Sequence, residues 1–121
     1  MAYTTIDDPT DYFNTVLYTG NGSTQSITGV GFQPDWVWTK GRSQTVFHRL
    51  VDAVRGTTKE LYSNTTNTEA TDSNGLTAFG TDGYTLGSGT GYNNNSSTYV
   101  SWNWKAGGGQ GSSNTDGSIN T

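Results

Sequence analysis

FQPDWVWTK, residues 32–40, and YVSWNWKAGG, residues 99–108, together hold all four tryptophans of the chain, at positions 36, 38, 102 and 104. Each pair is spaced by two, the period of an extended strand. Trp36 and Trp38 therefore share one face of one strand, and Trp102 and Trp104 share one face of another. The expectation is that the four indoles are buried as the walls of one aromatic core, because strand aromatics more often fill a core than form a ligand platform.

Leu, Ile, Val and Phe number only 19 in 121 residues. That leans toward disorder, but the formal net charge is just −4, and 11 Trp and Tyr residues supplement the aliphatics. A single domain resting on aromatics follows. Seventeen glycines, with abundant Ser, Thr and Asn, disfavour long helices and favour short strands joined by turns. YFNTVLYT (12–19), the turn GNGS (20–23) and TQSITGV (24–30) read as a hairpin. TVFHRLVDAV (45–54) carries apolar residues on both faces, leaving a strand or a helical turn near 50–54 open. KELYSN (59–64), LTAFG (76–80) and TDGYTLG (81–87) add further strands, and GSGTGYNNNSS (87–97) reads as an exposed loop dispensable for folding.

Roughly seven or eight turn-separated strands with little helix give an all-β fold, an antiparallel β-sandwich of jelly-roll or concanavalin-like type, with a barrel as the alternative. The division is an extended amino-terminal arm at 1–11, the sandwich at 12–106 and a Gly-rich tail or linker at 107–121.

Six Lys and Arg against ten Asp and Glu supply no basic stripe for a phosphate backbone, so nucleic acid is not an expected partner. A membrane is not expected either: no apolar run approaches bilayer length, and residues 1–13 have neither the basic nor the apolar region of a secretion leader. With no cysteine, disulfides cannot staple the fold.

Chemistry is sparse. The only histidine, His48, lacks the partners of a catalytic triad and reads as a structural hydrogen-bonding group. Asp72 with Asn74, or Asp82 with the asparagines at 93–95, misses the full spacing of a calcium loop, so no metal and no cofactor are expected. Glycoside hydrolysis needs two carboxylates converging on one cleft, and no such pair is evident. The chain therefore reads as a non-enzyme. Asp82, Tyr92, Asn93, Asn94 and Asn95 form a candidate glycan-binding loop set, with carboxamides bonding hydroxyls and a ring stacking on a sugar, although a solvated polar loop is the favoured explanation of them. Arg42, Arg49 and Arg55 are candidates to pair with Asp35, Asp52 or Glu60. In the amino-terminal arm, Tyr3, Thr4, Thr5 and Ile6 could add as a strand to a sheet edge of a neighbouring copy, making a homo-oligomer.

TTIDDPTDYFNTVLYTGNGS (4–23), FQPDWVWTKGRS (32–43), HRLVDAVRG (48–56) with KELYSN, the 76–87 segment ending in DGYTLG, and YVSWNWKAGG occur in order along most of 4–108. In this pattern the chain resembles a domain recurring in structural proteins of marine tailed bacteriophages, cyanophages above all. The resemblance implies a jelly-roll or concanavalin-like sandwich in a tail fibre or capsid decoration, located in the virion or outside the cell. It brings no catalytic residues. The functional expectation is a self-associating structural subunit, with a lectin-like glycan-binding module as the alternative.

Overall fold

The computed structural model describes residues 8–106. A 3₁₀ turn, Pro9–Asp11, is capped by the Asp8 carboxylate, which accepts from Thr10 N at 2.9 Å. The strands are β1 Phe13–Thr19, β2 Gln25–Ile27, β3 Trp36–Gly41, β4 Arg49–Asp52, β5 Lys59–Tyr62, β6 Ala70–Thr71, β7 Leu76–Gly80, β8 Gly83–Leu86 and β9 Thr98–Trp104, with one short helix, α1 Thr90–Asn93, before β9. They form two antiparallel sheets, a six-stranded β1-β9-β3-β4-β5-β6 and a three-stranded β2-β8-β7. The fold is a mostly-β, sandwich-like arrangement, as the strand pattern predicts.

The expected 12–30 hairpin does not form. β1 pairs with β9, and β2 crosses to the other sheet to pair with β8. The intervening turn cannot close on itself because its donors are taken elsewhere. Gly20 N donates to Ser97 O, Asn21 N to Asn93 Oδ1 and Gly22 N to Asn93 O. In segment 45–54 only Arg49–Asp52 is strand, β4; residues 45–48 lead into it without regular structure and a turn begins at 53.

Between the sheets lie Ile27, Val37, Val51, Leu76, Tyr84, Leu86 and Tyr92, with Val16, Tyr18 and Phe79 packed against them. Tyr99 is also buried, and its ring stacks on Tyr18 at 5.1 Å. The aromatic core is therefore built from tyrosines. None of the four tryptophans belongs to it: Trp36 is 36% exposed and Trp38, Trp102 and Trp104 are half-buried. The period-two reading groups the indoles correctly but assigns them to the wrong side. Alternation fixes which residues share a face, and only the opposing layer decides which face turns inward. Here the inward alternates are Val37 and Thr39 on β3 and Ser101 and Asn103 on β9, small side chains that leave room for the tyrosines.

Candidate functional site

On the outer face of the six-stranded sheet, register aligns the apolar residues into rows. Phe13 lies opposite Trp104 and Trp104 opposite Trp36; one row along, Thr15, Trp102, Trp38, Leu50 and Leu61 follow one another across five strands. A third row holds Leu17 and Val100. The rings make a connected chain. Phe13 and Trp104 lie 5.0 Å apart, Trp104 stacks on Trp36 at 4.4 Å, Trp36 on Trp38 at 6.3 Å, and Trp38 meets Trp102 edge-on at 5.7 Å. Trp38 Nε1 donates to His48 Nδ1 at 3.1 Å, so the one histidine has the structural role expected of it, fixing an indole. Trp38, Trp102 and Trp104 line an open groove of ≈ 250 Å³. Leu17 is 60% exposed and Leu61 36%. A contiguous apolar face of this kind marks an interaction surface, because burying it against a partner removes that area from water.

Charge stays at the margin of this face. Asp52, opposite Trp36, is held by Arg55, whose Nε donates to Asp52 Oδ2 at 2.6 Å and whose Nη1 lies 3.1 Å from Glu69. Burial alone would raise the Asp52 carboxyl, but the bonds and charge from Arg55 outweigh it and leave it below its usual range. Lys40 Nζ turns to the Gly41 carbonyl.

A second concavity, of ≈ 320 Å³, lies beside Phe47, Arg49, Asn64 and Thr90. The Arg49 guanidinium at this cleft stands 5.1 Å over the Tyr92 ring and 5.9 Å over Tyr62. Its Nε approaches Glu60 Oε2 at 3.3 Å, as an ion pair without hydrogen-bond alignment. Glu60 is 4% exposed and accepts from Tyr62 OH at 2.5 Å and Tyr92 OH at 2.7 Å. The buried charge is thus paired and bonded within the fold, as a buried carboxylate requires, which makes this cluster structural. Two of the expected pairings, Arg49 with Glu60 and Arg55 with Asp52, are present, while Asp35 Oδ2 accepts from Ala106 N at 2.6 Å.

The five residues of the candidate glycan set are not brought together. Asp82, in the β7–β8 turn, accepts from Gly31 N at 2.7 Å and Gly29 N at 3.1 Å; these backbone bonds hold its carboxyl below the usual range. Tyr92 and Asn93, at the far end of β8, are buried. Asn93 Nδ2 donates to Gly87 O at 3.0 Å, next to the end of that strand. Asn94 turns inward to Gln44 Oε1 and Ser97 Oγ, both 3.1 Å away, so of the five only Asp82 and Asn95 are exposed, at separate places in the fold. The 87–97 segment is therefore a packed plug and not a dispensable loop. Its GYN triplet, 91–93, supplies core and hydrogen-bonding groups that a composition count cannot detect.

Among the described residues, no three His, Cys, Asp or Glu converge on a metal-sized site, and no helix is long and apolar enough to cross a membrane. The candidate arm residues Tyr3, Thr4, Thr5 and Ile6, and the 107–121 tail, lie outside the described residues. What sequence reasoning missed is the outer face itself: Phe13, Leu17, Leu50 and Leu61 join the indoles only once strand order is known.

No curated protein and no solved structure matches the chain. A family match spans residues 8–121, taking in the whole sandwich and the 107–121 tail; the chain belongs to the family described as Domain of unknown function (DUF7483).

Proposed function

We propose that this protein is a non-enzymatic structural subunit of a phage virion or related extracellular assembly, in which copies bury their tryptophan-bearing sheet faces against one another. The observation carrying this reading is the contiguous outer face of Phe13, Leu17, Trp36, Trp38, Trp102, Trp104 and Leu61, far more apolar than the polar inner face of β9. A second copy is the fitting occupant because the centre of the face holds no charge; at its margin Asp52 is paired with Arg55 and Lys40 is turned to the Gly41 carbonyl. The centres of two such surfaces can therefore meet without like-charge repulsion despite the net charge of −4. The resemblance to marine phage structural proteins supports the virion setting, and the two antiparallel sheets are compatible with its jelly-roll or concanavalin-like type.

The test is light scattering and electron microscopy of the purified chain beside Trp36→Glu and Trp102→Glu. Ordered particles in the parent and their loss in both variants, with far-ultraviolet circular dichroism unchanged, are expected. Particles that persist in both would remove the face as the contact. The indole groove favours one further reading, a sugar stacked on Trp102 and Trp104. Glycan-array binding lost on Trp102→Ala but kept in Asn94→Ala would select that reading.

A further inference from the structure

The two sheets have four edges, and three of them are blunted. β6 is two residues long, β2 is three, and β7 is broken by a register shift between Leu76 and Ala78. Short edges and bulges are the means by which sheets avoid unwanted strand addition. The fourth edge, β1, has none of them. It runs seven residues as FNTVLYT with no charge and no proline, and its register with β9 is unbroken from Phe13 to Thr19.

Parity shows which backbone groups are free. Lys105 N donates to Tyr12 O and Gly20 N to Ser97 O, both at 2.8 Å, so the carbonyl of residue 12 and the amide of residue 20 face β9. The even residues between them do likewise, as the bond from Asn103 Nδ2 to Asn14 O at 3.1 Å bears out. In an antiparallel pair the alternate residues point their N–H and C=O groups the other way, so Phe13, Thr15 and Leu17 turn theirs outward. Among the described residues, no side chain or loop backbone group bonds these three, and only Thr19 O, at the strand end, accepts a side chain, Gln25 Nε2 at 3.2 Å.

We propose that β1 is the seam for a second copy of this chain, pairing antiparallel with its own counterpart about a two-fold axis at Val16. That register uses the whole strand. It places Thr15 opposite Leu17 of the second copy and Phe13 opposite Thr19 of the second copy, so outward-pointing residues meet outward-pointing residues. It also keeps both tryptophan faces on the same side, whereas a slip of one residue would set one copy's face against the other's core side. Because the strand is uncharged, two copies of an acidic chain can approach along it. This contact uses backbone groups of the edge and is independent of burial of the tryptophan face.

The chain has no cysteine, so Val16→Cys reports the axis directly. Facing Cα atoms in a non-hydrogen-bonded antiparallel pair lie about 4.5 Å apart, within disulfide reach. Expected is a covalent dimer under mild oxidation, forming well ahead of a Thr81→Cys control in the exposed β7–β8 turn. Sedimentation equilibrium of the full chain should show a dimer, and Thr15→Pro, which deletes an outward N–H that an edge strand can lose and still fold, should weaken it about tenfold or more. Leu17→Lys serves the same purpose if the proline variant does not fold. Trp36→Glu should leave this dimer intact. A monomeric parent with no preferential Val16→Cys crosslink overturns the proposal. So does a dimer that survives both edge variants, or one lost on deleting residues 1–7 while Val16→Cys still fails to crosslink.

Discussion

The Tyr92 hydroxyl donates to Glu60 Oε2 at 2.7 Å inside the sandwich, tying the 87–97 segment to β5 across 32 residues of chain. Tyr62 donates to the other carboxylate oxygen, and Arg49 supplies the countercharge. Tyr92→Phe removes one bond to a charged acceptor and should cost about 1.5–3 kcal/mol. Glu60→Ala strands Arg49 and two hydroxyls and should cost about 3–5 kcal/mol. Urea denaturation of both variants checks the order. A Glu60→Ala protein as stable as the parent would show that the cluster contributes nothing.

Tyr84 is the contrasting case. It is 2% exposed, yet its hydroxyl has no well-formed hydrogen bond among the described residues, and burial pushes its ionisation well above the ordinary tyrosine value. Ser101, Thr39 and Tyr18 lie near it without good alignment, and a buried hydroxyl so placed recovers little of its desolvation cost, so removing it returns much of that cost. Tyr84→Phe is expected to leave the thermal midpoint unchanged or to raise it. A loss as large as that of Tyr92→Phe would mean that the hydroxyl is bonded.

These two tyrosines also mark how far the sequence can be read. Strand existence was legible from the alternation around Trp36, Trp38, Trp102 and Trp104, and from Asp82–Gly83 as a turn between β7 and β8. Pairing was not. Whether GNGS closes a hairpin depends on Asn93, more than seventy residues away, capturing its donors. The inward face was equally hidden, because it depends on which alternate set fits the opposing sheet. The GYN triplet looked like solvated loop by composition, since nothing local shows that Tyr92 has a carboxylate to reach or that Asn93 meets Ser23 O and Gly87 O. The outer face could be assembled only from strand order, for its rows join β1, β9, β3, β4 and β5.

The tyrosine core makes stability sensitive to alkali. Burial first, and then the bond to Glu60 and its charge, push Tyr62 up to about 12, and burial drives Tyr92, Tyr84 and Tyr18 upward as well. The unfolded chain loses these protons near pH 10, while the folded chain holds them longer. Their contribution is therefore complete below about pH 10 and is lost as pH rises toward and through 12. The thermal midpoint should fall steeply across that interval while tyrosinate absorbance lags behind that of free tyrosine. Tyr92→Phe should make the fall shallower. A midpoint that stays flat to pH 12 would contradict the burial of these hydroxyls.

Gly83 sets the distance between β2 and β8. It opens β8 opposite Gly80, with φ +156°, and a Cβ built on it would overlap the Ile27 carbonyl oxygen and crowd Thr28. Backbone cannot yield as a flexible side chain can, so any substitution must push β2 off the three-stranded sheet. β2 has only three residues, Gln25–Ile27, with which to hold its place, and Ile27 is part of the core cluster. Gly83→Ala is therefore expected to destabilise the fold by about 2 kcal/mol or more, in the range of an overpacked core site. Gly80→Ala, whose Cβ would meet only the Gly83 carbonyl oxygen at ordinary contact distance, 3.8 Å, should cost much less. Amide hydrogen exchange locates the damage: in Gly83→Ala, protection should fall first in β2 and β8 while β3 and β9 stay protected. Equal losses in both variants would show that the approach of β2 to β8 is not what constrains residue 83.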